Sequence, residues 1–337
     1  MRKKNCCGFV CMMLSLAGMC QQYDGLKNDT NFYHIYPKLV TARFYFSQKY
    51  TDFKIKSTSV IGSLHYKPNT TMNMGVGATY HNISVNIAYG FGFLNNDEQK
   101  GKTDYLDLQG HAYLQKWTVN WYGQFYNGYY LSKEEINTGG PDNYHRPDLH
   151  VNLAGVSAYR LVNDRRFSFR ASMLENEWQT HSAGTLLYSG HLFYGKITAD
   201  SSFIPMALQN GNQSKVLNKI NFFVFAPGIG YAYTYVLQQH FFVTGALVLN
   251  VDAGAINEEG EGKKFSIEPG YDFITAIGYN SKTWNISANF VQNKLRIKGN
   301  SQNEYTVPTG NYRFIISKKL TPSPKVKKKL NLIDKLL

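Results

Sequence analysis

From Met72 to Tyr80 every second residue is apolar or aromatic (Met72, Met74, Val76, Ala78, Tyr80), and Asn73, Gly75, Gly77 and Thr79 lie between them. After His81-Asn82 the alternation resumes as Ile83, Val85, Ile87, Tyr89, Phe91 and Phe93, over Ser84, Asn86, Ala88, Gly90 and Gly92. Successive side chains of an extended strand point to opposite faces, so period two with a two-residue break predicts a β-hairpin. The pattern recurs at Leu106–Leu114, Trp117–Phe125, Phe167–Met173, Ile229–Leu237 and Trp284–Phe290. The expected strands are 38–47, 51–66, 71–80, 83–93, 104–114, 117–130, 148–162, 166–177, 184–196, 220–237, 240–254, 265–280, 283–297 and 306–317.

The connections alternate as well. Tight turns fall near His81-Asn82, Gln115-Lys116, Asn163-Asp164, Gln238-Gln239 and Ser281-Lys282, and longer polar loops occupy 95–102, 132–144, 257–263 and 298–304. Short turns at one end and long loops at the other are the plan of an outer-membrane barrel. The fold class expected is therefore all-β, a transmembrane antiparallel β-barrel of about 12 strands (roughly 10–14), with short periplasmic turns and longer extracellular loops. The segment from Ile197 to Lys219 fits neither turn nor strand; it is expected to be either a loop folded into the barrel mouth or a short periplasmic helix.

A soluble sandwich would show the same alternation with the apolar face turned inward. Composition separates the two. Aromatics make up 15% of the chain, with 25 Tyr and 21 Phe, and charged residues only 18%, against roughly a quarter in soluble domains. The polar faces carry Gly, Ser, Thr, Asn, Gln and Tyr rather than the Lys and Glu of a soluble surface, which suits a lumen. Tyr89, Phe91, Phe93, Trp117, Trp121, Tyr235 and Trp284 are the aromatic girdle candidates. Mean hydropathy is −0.36, and no apolar run reaches the ~18 residues of a membrane helix.

The ends differ from the body. Arg2, Lys3 and Lys4 precede an uncharged stretch, Cys6 to Met19, which reads as an export signal over 1–20. Cleavage before Gln21 and lipoprotein processing at Cys20 are alternative fates. All four cysteines lie in this segment, so a mature chain has no disulfide framework or thiolate metal site. Residues 21–37 are expected to form a flexible leader, with a periplasmic tether or a small plug as the alternatives; 38–320 form the barrel, and 321–337 a basic tail. Of the net charge of +13, the signal carries +3 and residues 318–337 carry +6, which leaves +4 for the body. That modest figure speaks against a nucleic-acid partner. Val326, Leu330, Ile333 and Leu337 follow helical spacing. The tail is thus expected to be a basic amphipathic helix on an anionic membrane surface or an envelope protein partner, or a solvated tail.

Charged residues on inward registers are the functional candidates: Arg43, Asp107, His111, Arg166, Arg170, Asp252, Glu268 and Asp272. Facing charges set a transverse field that orients polar solutes; the alternative is that they pair and close a narrow lumen as a rigid core. Catalysis needs a nucleophile, a base and an orienting group within reach. His111, His150 and His191, with Ser189, sit in no recognisable motif, and the glycines at 90–92 and 228–230 are strand glycines with no helix after them. No metal or cofactor is expected, nor an enzymatic activity.

The stretches "YKPNTTMNMGVGATYHNISVNIAYGFGFLN" (66–95), "KGKTDYLDLQGHAYLQKWTVNWYGQFYNGYYL" (100–131), "QTHSAGTLLYSG" (179–190) and "PGIGYAYTYVL" (227–237) resemble a domain-of-unknown-function family of Bacteroidota, regarded as outer-membrane β-barrel proteins. The resemblance implies a barrel embedded in outer-membrane lipid and brings no catalytic residues. The expected role is non-enzymatic passage or binding of small polar solutes. The alternatives are an accessory subunit of a larger outer-membrane complex and a barrel hydrolase.

Overall fold

The computed structural model describes residues 28–57, 63–81, 83–91, 94, 97–136, 142–205, 217–300 and 303–334. The expected signal at 1–20, the first part of the leader and Phe93 lie outside the described residues. The strands are β1 (Tyr33–Ile35), β2 (Val40–Thr51), β3 (Phe53–Lys56), β4 (Ser63–Tyr66), β5 (Asn73–Tyr80), β6 (Ile83–Gly90), β7 (Asp104–Tyr113), β8 (Trp117–Leu131), β9 (Tyr144–Leu161), β10 (Glu177–Gln179), β11 (Ala183–Thr198), β12 (Lys219–Leu237), β13 (Phe241–Glu258), β14 (Gly262–Asn280), β15 (Trp284–Lys298) and β16 (Glu304–Leu320). The α-helices are α1 (Lys133–Ile136), α2 (Phe169–Met173) and α3 (Pro324–Asp334).

Twelve wall strands form one antiparallel sheet in the order β6-β5-β2-β16-β15-β14-β13-β12-β11-β9-β8-β7. The chain's first and last wall strands pair along a continuous register from Leu320↔Val40 to Thr309↔Thr51. The end strands β6 and β7 share no ladder among the described residues. The sheet instead curls until side chains link this side: Lys49 Nζ on β2 meets Asp107 on β7 at 3.2 Å, and Thr71 bonds Tyr105 at 3.0 Å.

Alternation places each face as the sequence demands. On β12 and β13 the outward residues Ile229, Tyr231, Tyr233, Tyr235, Leu237, Phe241, Val243, Leu247 and Leu249 are exposed, while Ala232, Thr234, Phe242, Thr244, Ala246 and Val248 between them are buried. An exposed apolar face so continuous is stable only against lipid. The 18 residues of β13 extend roughly 60 Å along the strand, well beyond the ~25 Å apolar band of such barrels even when tilted. Trp117, Tyr235 and Trp284 ring the end that carries the short turns, with Arg160 over Trp117 and Lys318 over Trp284. Tyr89 lies exposed toward the loop end with Phe91 edge-on against it, and Trp121 is half-buried.

Two expected strands are not wall strands. The expected strand 51–66 is the hairpin β3–β4, with residues 58–62 outside the described set. β3 also pairs with β16, and Lys67 bridges Tyr130, so the hairpin spans the loop end from β16 to β8. The expected strand 166–177 contains α2 and the start of β10 instead. Ser168 caps α2 by accepting from the Ala171 N–H at 3.1 Å, and every residue from 167 to 177 is buried. A wall strand needs one lipid face, and this segment has none. With it removed from the wall, the connection after β11 falls at the loop end. Its described residues fold into the mouth, where Phe203, Ile204 and Leu217 are buried.

The interior is not polar throughout. At the loop end the inward side chains form an apolar core that includes Phe53, Ile55, Leu64, Tyr66, Leu149, Val151, Ile197, Phe203, Ile220, Phe222, Ile297 and Tyr305. Phe53 is fully buried, stacked between Tyr66 and Tyr305 and edge-on to Phe203. Replacing Phe53 by Ala is expected to lower the unfolding free energy by about 3 kcal/mol in lipid vesicles titrated with urea, and a loss below about 1 kcal/mol would contradict a packed core there.

Candidate functional site: a closed chamber in the barrel

The turn end is shut by the connection between β9 and β11. β10 pairs with β1, so residues of the leader join residues 162–182 in one plug; the bond from Tyr33 Oη to the Asp164 carbonyl (2.9 Å) fixes the two together. The expected tight turn at Asn163-Asp164 is the entry to this plug. Its backbone is bound by wall side chains. Arg43 donates to the Leu174 carbonyl at 3.0 Å, Asn280 to those of Ala171 and Glu177 at 2.9 and 3.0 Å, and Asn285 to that of Glu175 at 3.1 Å. Trp178 donates to the Gln239 carbonyl at 2.7 Å and stacks on His240.

Between the plug and the loop-end core lies a belt of polar side chains. Within it is a cavity of about 50 Å³, walled by β7, β8, β9, β14, β15 and β16 and floored by Phe169 and Met173 of the plug. His111 bonds Asn120 at 2.8 Å, Asn120 donates to Ser157 at 3.2 Å, and Asn293 donates to Tyr122 Oη at 3.1 Å. Other atoms of the lining are buried and unpaired: Thr118 Oγ1, Asn289 Nδ2, Asn293 Oδ1, Asn311 Oδ1 and Arg313 Nε. Buried polar groups are seldom left so, and five of the twelve such atoms among the described residues line this one cavity.

Of the eight charged candidates, only His111 lines this chamber. Asp107 is used up by Lys49, by Gln124 at 3.1 Å and by Tyr126 at 2.6 Å. Asp272 accepts from Tyr159 and Asn250, each at 3.0 Å, and lies 3.1 Å from His191. Asp252 accepts from the Arg296 backbone at 2.8 Å and stands opposite Glu268 in register. Asp252, Asp272 and His191 share a cavity of only about 10 Å³. Arg43 serves the plug. Arg166 and Arg170 do not face the lumen from a wall strand, because 166–177 is plug. Arg166 projects over Phe32 toward Asp29, and Arg170 is buried against Glu177 at 3.2 Å. Sequence reading passed over Arg313, Lys49, Glu175 and the asparagines of β15 and β16. Arg313 sits on the inward register between the outward Tyr312 and Phe314, a signal that was present in the alternation.

Glu175 is the plug's tightest point. Its φ of 59° is left-handed, a conformation costing a non-glycine residue roughly 1–3 kcal/mol. Its fully buried carboxylate accepts from Ser287. Burial pushes this carboxyl above the ordinary range, against the opposing pull of Ser287, Ser317, Arg43 and Lys319. The docked plug therefore holds the proton more tightly than the free segment, and docking loses stability as pH rises from the ordinary carboxylate range toward the raised value. Amide hydrogen exchange over residues 169–178, corrected for intrinsic rates, is expected to show less protection at pH 8 than at pH 5. Glu175→Gln should flatten that dependence; an unchanged dependence would remove Glu175 as its source.

Residues 27–317 match the family described as a domain of unknown function (DUF4421), and the chain belongs to that family. No curated protein matches the chain. Among solved structures it is similar to the outer membrane protease OmpT from Escherichia coli, at 11% identity and a TM-score of 0.37, covering 85% of this chain and 97% of that one. It is also similar to the Pseudomonas putida toluene transporter TodX, at 8% identity and a TM-score of 0.28, covering 84% and 90%. The attachment invasion locus protein Ail of Yersinia pestis matches at 8% identity and a TM-score of 0.22, covering 82% and 97%. Nothing about this chain's role follows from likenesses of this size.

Proposed function

We propose that this member of the DUF4421 family is a closed bacterial outer-membrane barrel that works without catalysis, by holding a small polar solute inside its wall rather than by letting solutes run through. The observation that carries the reading is the chamber itself. Five unpaired buried polar atoms surround it, an apolar core lies above it and the plug lies below. A conducting pore needs a continuous wet path, and among the described residues the buried Phe53 and Phe203 at the loop end and Phe169 and Met173 at the turn end stand against one. Outer-membrane placement is supported by the lipid-suited outer face, the aromatic ring at the turn end and the basic, apolar start of the sequence. Short turns then face the periplasm, and so do the plug and α3.

A non-enzymatic role is supported by the partners of the histidines. His111 bonds Asn120, His191 lies 3.1 Å from Asp272, and Ser189 bonds Asn250 at 3.1 Å. No serine and histidine meet among these contacts.

Purified full-length protein in planar bilayers is expected to show no steady conductance. A stable ohmic conductance from folded protein would contradict the closed barrel and restore free passage.

A further inference from the structure

We infer that the chamber takes a small hydroxylated monocarboxylate, with Arg313 as its counter-charge; this rests on the reading of a closed binding barrel. Arg313 is half-buried and makes no hydrogen bond or ion pair among the described residues; its guanidinium lies 5.4 Å from the centroid of the Tyr45 ring, and its Nε is buried and unpaired. A buried guanidinium nitrogen without an acceptor is costly. Among the described residues no carboxylate lines the chamber to meet it; Asp107 is held by Lys49, and Glu175 accepts from Ser287 through one of its two oxygens. The lining therefore carries one positive charge and lacks its anion.

The other unpaired atoms say what shape the anion has. Asn289 is 7% exposed and stands directly opposite Arg313 in the β15–β16 register, and its free Nδ2 is a second donor beside the guanidinium. A carboxylate accepts from both, and guanidinium geometry suits two parallel bonds to it. Asn293 Oδ1 and Asn311 Oδ1 are acceptors left over, each on a side chain 8% exposed. A simple carboxylate gives them no proton; a hydroxyl gives one of them its single proton. Ile274, Val291, Phe169 and Met173 supply an apolar side for a short carbon chain. At roughly 10–15 Å³ per water position, the volume of about 50 Å³ fits a molecule the size of glycolate or lactate.

The test is calorimetric titration of lactate, and separately of its uncharged amide, into the full-length barrel in lipid nanodiscs at pH 7. Wild type is expected to bind lactate saturably and at least about tenfold more tightly than lactamide, as a charge-assisted bond implies. Arg313→Gln is expected to erase that preference, and Asn289→Leu to weaken lactate alone. Heat-modifiable gel migration confirms that each variant is folded. Equal binding of the two ligands by wild type overturns the anion assignment and leaves the closed binding barrel standing. Absence of lactate binding by folded, non-conducting protein overturns it in the same way, whereas a steady conductance strikes the underlying reading instead.

Discussion

In hydrocarbon no water pairs with a peptide group, so a sheet that crosses a membrane must satisfy its own backbone. The ladder between β16 and β2 is where this chain meets that constraint, because it joins the last wall strand to the first along the whole of β2. Once those strands pair, the outward registers of Phe44, Phe314 and Ile316 continue the lipid face begun on β12 to β15. The inward registers are then enclosed along every strand junction except that between β6 and β7. The β6 and β7 edges remain without a ladder, and there Lys49, Asp107, Thr71 and Tyr105 hold the sides together through side chains.

Enclosure creates the second problem, an interior to be filled. The chain fills it in layers. Toward the loop end the inward residues become apolar, as Phe193 and Ile197 on β11 face Phe222, Val224 and Ile256, and the β3–β4 hairpin with Phe203 completes the packing. Toward the turn end a plug drawn from the middle of the sequence and from its leader is tied to wall asparagines and Arg43. What remains between is a belt whose polar atoms are mostly paired; five of the unpaired ones line one cavity, while others, such as Gln124 Oε1, lie apart from it. The alternative that charged wall residues pair and close the lumen describes Asp107 and Asp272, and Arg313 is the exception that gives the chamber its character.

Much of the wall was legible because a strand against lipid has only one solution. The hairpin at 73–90, the turn at His81 and the tail helix at Pro324–Asp334 follow from alternation and spacing alone, and twelve wall strands match the central expectation. The interior was less legible because burial on both sides erases the polar–apolar difference that periodicity reads. Residues 166–177 alternate like a strand, yet from Phe167 onward their Phe, Arg and Glu side chains are all inside, and the Ser168 cap and the left-handed Glu175 decide the local path. The unbroken apolar run Phe222 to Ala226 was the visible sign of a dry loop-end core, since a strand with a wet lumen would have shown a polar residue at every second place. The chamber could not be read at all. It depends on which inward atoms fail to find partners, and that is settled by neighbours far apart in sequence, such as Arg313 and Tyr45.

The central claim is that one face of each wall strand meets lipid while the other meets packed protein rather than water. Spin labels placed singly along β13 from Phe241 to Asp252, in bilayers, measure this through collision with oxygen, which partitions into lipid, and with a water-soluble nickel chelate. The account predicts high oxygen accessibility at 243, 247 and 249, and low accessibility to both reagents at 244, 246 and 248. Nickel accessibility at the even positions would reveal a water-filled bore and contradict the account.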